Sequence, residues 1–167
     1  MRPDEPAARS EGVVPRIFID ADACPVKDEV YRVARRYELH VSVVANSPMR
    51  IPEERRIELV VVREGLDAAD DWIVAHLSED DIVVTADIPL AWRCLQKGAR
   101  VLGTTGRPFN DDNIGDAMAT RELMSELRDA GTIRGGPAPF QKRDSSRFLQ
   151  ELDRMVAEIR RRRESGR

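Results

Sequence analysis

Short runs rich in β-branched residues alternate with longer amphipathic stretches along most of this chain, and that alternation restricts the folds open to it. Strands are expected near 16–20, 40–45, 58–62, 81–86 and 100–102, and helices near 25–37, 67–78, 89–97, 112–129 and 144–162. Strands separated by helical patterns of this length indicate βαβ units, hence a mainly parallel sheet with helices packed on it. The run Leu59-Val60-Val61-Val62 reads as a strand buried on both faces. Pro25 suits a first helical turn, where its missing N–H costs nothing. Gly98 and Gly131 each follow a helical stretch and suit left-handed C-caps. Gly135-Gly136-Pro137-Ala138-Pro139 breaks regular structure, so the last helix is expected as an appended extension rather than a second domain.

With 167 residues the chain has the length of one domain. Residues 1–14 are polar with prolines and are expected to be a disordered tail; 15–160 form the single domain, and 161–167 a frayed basic tail. The formal net charge is −3, so any polyanion must be met by a local basic patch rather than by a bulk field. The cysteines, Cys24 and Cys94, are far apart and suggest no disulfide framework. The N-terminal segment lacks an apolar stretch of signal-peptide type, and no run approaches the ~18 apolar residues of a membrane span. A cytoplasmic protein with no membrane partner is therefore expected; the sequence does not fix its oligomeric state.

Two of the expected strands end in acid. The first runs into Asp20-Ala21-Asp22, the fourth into Thr85-Ala86-Asp87. Strand side chains alternate between faces, so Asp20 and Asp22 lie together, as do Thr85 and Asp87. If both strands run parallel, these ends meet at one sheet edge, where open α/β sheets bind ligands. A third cluster, Asp67-Ala68-Ala69-Asp70-Asp71, opens a helix with an apolar stripe through Leu66, Ala69, Ile73 and Leu77. Asp70 falls on the edge of that stripe, with Asp71 about 100° away. Carboxylates gathered at one place repel unless protons or a cation separate them. An all-oxygen donor set suits Mg²⁺ or Mn²⁺. Zinc does not fit, because His40 and His76 are isolated and no Cys-x-x-Cys pair occurs.

Most of these aspartates also have a structural use, although capping does not explain Asp20. Asp22, Asp67 and Asp87 could cap the helices that follow them, and acids favour first helical turns. Asp-x-Asp after a first strand also fits a haloacid-dehalogenase-like phosphatase, with Asp20 as nucleophile and Asp22 as general acid. A third reading is a non-catalytic module that binds RNA or protein. Asn46, Ser47 and Arg50 follow the second strand at the same edge and are candidates for phosphate or base contact, as is Lys27. Lys142, Arg143 and Arg147 form a basic cluster that could track a nucleic-acid backbone. Cys24 reads as a small buried residue.

The string Asp20-Ala21-Asp22-Ala23-Cys24-Pro25-Val26-Lys27 resembles the signature of the YaiI/YqxD family, a bacterial group without an assigned activity. The likeness continues through Val44–Arg50, Gly65–Ile73, Thr85–Ala91, Asn113–Gly115 and Gly135-Gly136-Pro137 to Phe140–Asp144. That family looks like a relative of the PIN-domain nucleases. The resemblance implies a three-layer α/β/α PIN-like fold and an acidic site that binds Mg²⁺ or Mn²⁺ and cleaves RNA. It places Asp20 as the strand-end aspartate, Thr85 and Asp87 as a Thr-x-Asp pair, and Asp70 or Asp71 as the helical acid. The metal set so implied is Asp20, Asp22, Asp70, Asp71 and Asp87, with Asp20, Asp70 and Asp87 catalytic. Thr85, Asn46, Arg50 and Lys27 are the candidates for substrate contact. The chain departs from the PIN pattern where Pro89, Leu90, Ala91 and Trp92 supply no further acid, and Asp111 and Asp112 are possible replacements.

Overall fold

A computed structural model describes residues 15–63, 65–136 and 138–166. The expectations for residues 1–14 lie outside the described residues. Five strands run parallel: β1 (Ile17–Asp20), β2 (Val41–Ala45), β3 (Ile57–Val61), β4 (Ile82–Val84) and β5 (Arg100–Leu102). A two-residue strand, β6 (Pro108–Phe109), pairs antiparallel with β5 at the edge. The order is β3-β2-β1-β4-β5-β6. The chain therefore builds outward from β1 in one direction, then returns to β1 and builds the other way. Between β1 and β4 the connections part to opposite sides, which opens a crevice at the strands' carboxyl ends.

Helices cover both faces, as the alternation predicts. On one face α1 (Lys27–Tyr37) and α5 (Lys142–Ser165) bury Val30, Ala34, Phe148, Leu152 and Val156 against Ile17, Ile19, Val43 and Val84. On the other, α2 (Ala68–His76) and α3 (Ile88–Gln96) bury Ala69, Ile73, Leu90 and Cys94 against Phe18, Val44, Val83 and Val101. α4 (Ile114–Asp129) packs on this second layer through Ile114 and Met118. The strand residues divide between the clusters by their alternation, Ile17 and Ile19 to one side and Phe18 to the other. The result is a three-layer α/β/α fold.

The expected C-terminal helical extension is α5, and five of its side chains complete the core of one face. Three local expectations change. α5 stays helical through Ser165, so most of the basic run expected to fray is helix. Pro25 sits in the turn before α1 rather than in its first turn. Leu66, placed by periodicity on the apolar stripe of α2, precedes the helix and is fully exposed.

At the amino end of the sheet the charged groups are bonded to one another or to backbone donors. Arg16 is 6% exposed, Asp81 4% and Ser42 1%. The Arg16 N–H donates to Asp81 Oδ1 (3.0 Å), and its guanidinium reaches Ser42 Oγ (3.2 Å) and Glu58 Oε1 (3.4 Å). Asp81 also accepts from the Ser78 N–H (2.8 Å). Burial of this arginine is tolerable because acceptors surround it.

Candidate active site

The carboxyl end of the sheet is built differently. β1 delivers Asp20 to the switch point between β1 and β4, half-buried. Its Oδ2 accepts from Thr85 Oγ1 at 2.8 Å. Thr85, which is fully buried, accepts in turn from the Asp87 N–H (2.9 Å). Asp87 Oδ1 then caps α3 by accepting from the Leu90 N–H at 3.0 Å. Thr85 thus ties the two strand ends together, and one oxygen of each aspartate is fixed by protein donors. This is the kind of outer support that orients a ligand carboxylate.

Asp22 is presented by a tight turn. The Cys24 N–H donates to the Ala21 carbonyl (3.2 Å), and Ala23 takes φ 60°. A left-handed alanine stores strain that the surrounding contacts must hold. Lys27 supplies one of them, donating to the carbonyls of Cys24 (2.8 Å) and Ala21 (3.4 Å). Asn46, at the end of β2, fixes Asp22 Oδ2 from its side-chain amide (2.7 Å) and its N–H (3.3 Å). From the other side α2 contributes Asp70, half-buried on its first turn. Asp67 stands at the N-cap position of α2, yet its side chain makes no capping bond.

These groups line one open cleft of about 290 Å³, together with Thr104 from the loop after β5. Its electrostatics are dominated by like charge. Burial, followed by the charges of Asp87 and Asp22, pushes the Asp20 carboxyl above its ordinary value, against the Thr85 hydrogen bond that lowers it. Burial, then Asp87, Asp20 and Asp67, pushes Asp70 up to about 6, with Arg93 opposing. None of Asp20, Asp70 and Asp87 forms an ion pair with another described residue. No group of three His, Cys, Asp or Glu side chains among the described residues is arranged as a ready-made metal shell. The donor chemistry nevertheless suits a hard cation that keeps part of its water shell. A zinc-like closed shell is not what is built.

The structure brings together Asp20, Asp22, Asp70, Asp87 and Asn46. Thr85 lies behind them as a buried positioning group, not at the cleft surface. Asp71 points away from the cleft and pairs with Arg93 at 2.9 Å. Lys27 is occupied by the turn, and Arg50 is exposed outside the cleft lining. Asp111 and Asp112 lie in the exposed turn before α4 and do not line the cleft. Cys24 does reach the cleft wall, but burial raises its thiol pKa and leaves little thiolate. Sequence reasoning missed Asp67 and Thr104 as cleft residues. Asp67 carried a signal, an acid three positions before Asp70, but capping claimed it; Thr104 sits in a loop with no periodicity to read.

A family model described as "Uncharacterized BCR, YaiI/YqxD family" matches residues 18–158. A UPF0178 protein of Rhodospirillum centenum is 57% identical over 149 residues, covering 87% of this chain and 97% of that protein. UPF0178 proteins of Rhodopseudomonas palustris and Rhodospirillum rubrum are 53% and 52% identical, covering 93% and 87% of this chain and 95% and 97% of their own lengths. No solved structure matches.

Proposed function

We propose that this chain, which belongs to the YaiI/YqxD family, is a divalent-metal-dependent phosphodiesterase acting on RNA. The observation that carries the reading is the gathering of Asp20, Asp70 and Asp87 at the sheet's switch point, where none of them forms an ion pair with another described residue. Raised carboxyl pKa values in a cleft are a signature of functional sites. Mg²⁺ or Mn²⁺, when bound, would lower the pKa of a coordinated water and offset charge developing on phosphate oxygens. Asp20 and Asp87 are suited to hold the ion because each has one oxygen anchored and the other unengaged. Asp70 completes the set from α2, and Asp22, held by Asn46, sits at the rim.

The test is Mn²⁺-dependent cleavage of an end-labelled single-stranded RNA by the wild type and by Asp20→Asn. Loss of a ligand carboxylate is expected to slow cleavage by about 10²–10³-fold, the scale for removing one electrostatic stabiliser. Undiminished cleavage by the variant would sink the assignment. RNA binding without turnover at any Mn²⁺ concentration would instead make this a binding module.

A further inference from the structure

We infer that the first turns of α5, with Arg107 beside them, form the surface along which the phosphates of a single-stranded RNA approach the carboxylate cleft. The inference rests on the RNA-directed reading above. Two contacts fix the amino end of α5 at the carboxyl edge of the sheet. Ser145 Oγ donates to Glu29 Oε1 (2.8 Å) in the first turn of α1, the helix that begins just past Asp22. On the other side, α5 presses on the loop after β5: a Cβ on Gly106 would meet the Arg147 carbonyl carbon and the Phe148 nitrogen at 2.8 Å. Gly106 also has φ +86°, so only glycine fits this approach without strain. Thr104 of that same loop lines the cleft.

Lys142, Arg143, Arg147 and Arg107 are therefore carried to the edge that holds the aspartates. All four are exposed, and none pairs with another described residue. Four of the other cations on the two covering helices of this face behave differently. Arg35 pairs with Glu54, Arg36 with Asp153, Arg154 with Glu151 and Glu158, and Arg162 with Asp80. Lys142 and Arg143 also sit in the first turn of α5, where the helix dipole disfavours cations and only Asp144 offsets it. An anion arriving there would relieve both costs. On a chain of net charge −3, this local patch can attract a polyanion and lead it past Thr104 to the acids. Cations beside an acidic cleft divide the work: the patch holds flanking phosphates, and the cleft receives the one to be cut.

Binding of a fluorescein-labelled oligouridine, read by polarisation in EDTA across a salt series, tests this apart from cleavage. The triple variant Lys142→Gln, Arg143→Gln, Arg147→Gln is expected to bind at least ~10-fold more weakly. Its plot of log K against log salt should be shallower by about 2, at ~0.7 per phosphate contact. The control removes the same charge from the far end of α5, about 27 Å away at 1.5 Å per residue, as Arg160→Gln, Arg161→Gln, Arg163→Gln. It should bind within about twofold of wild type. Equal losses in both variants, no loss in the first, or no RNA binding by the wild type would each overturn the inference. Loss of binding in the Lys142, Arg143 and Arg147 variant with binding retained in the control supports it, whether or not the wild type cleaves.

Discussion

The two ends of the same sheet handle buried charge in opposite ways. At the amino end, the Arg16 guanidinium reaches Ser42 and Glu58, Ser42 Oγ donates to Glu58, and the Arg16 N–H donates to Asp81. At the carboxyl end, Asp20, Asp70 and Asp87 face one cleft, none of them in an ion pair with another described residue, and the pKa values of Asp20 and Asp70 are raised. Paired charge serves the fold; uncompensated like charge is tolerated where a ligand is to supply the compensation. The difference shows which cluster to assign to stability and which to function, although both are rich in acids.

That contrast can be broken from either side. The largest effect is expected at the amino end. Arg16→Leu leaves the Glu58 carboxylate without its arginine and should cost about 3 kcal/mol, as for breaking a buried pair, measured as a lower urea midpoint. An unchanged midpoint would mean the network is idle. A smaller loss is expected for Thr85→Val, which removes a donor from Asp20 and an acceptor from the Asp87 N–H. The cost should be about 2 kcal/mol, the scale for leaving buried polar partners unsatisfied, and cleavage should fall with it.

The smallest change has the opposite sign. Asp70 titrates near 6 in the fold against its ordinary 3.8. Between those values the folded chain keeps a proton that the unfolded chain has released. Stability in EDTA therefore rises as pH falls through about 6 and levels off near 4. Asp70→Asn should stabilise the metal-free chain at pH 7 by about 1 kcal/mol, a figure discounted for the exposure of the group. The gain should vanish at pH 4. A destabilised variant at pH 7 would show that Asp70 already has a partner in solution.

Much of this arrangement was legible because it follows periodicity. The alternation of Ile17, Phe18 and Ile19 gave the two faces, and the acids at the strand ends followed from parallel pairing. What escaped was set by single contacts. Asp87 does cap α3 as well as line the cleft, a double use that its spacing cannot separate. Asp71 turns out to Arg93 one helical step from Asp70. Leu66 fits the apolar stripe in a continuous helix, but α2 begins only at Ala68. β6 has two residues, too short for any pattern, and exists because the turn at Gly103–Arg107 folds the chain back on β5.

The placement of α5 has a consequence for biosynthesis. Phe148, Leu152 and Val156 cover Ile17, Ile19 and Val84, residues made more than sixty positions earlier. Until that helix leaves the ribosome, one whole face of the sheet has no complete cover. At ~5–20 residues per second the interval lasts several seconds. During it the nascent chain exposes a flat apolar surface of the kind that chaperones bind and aggregates grow from. A stop codon ahead of Phe148 would make that state permanent.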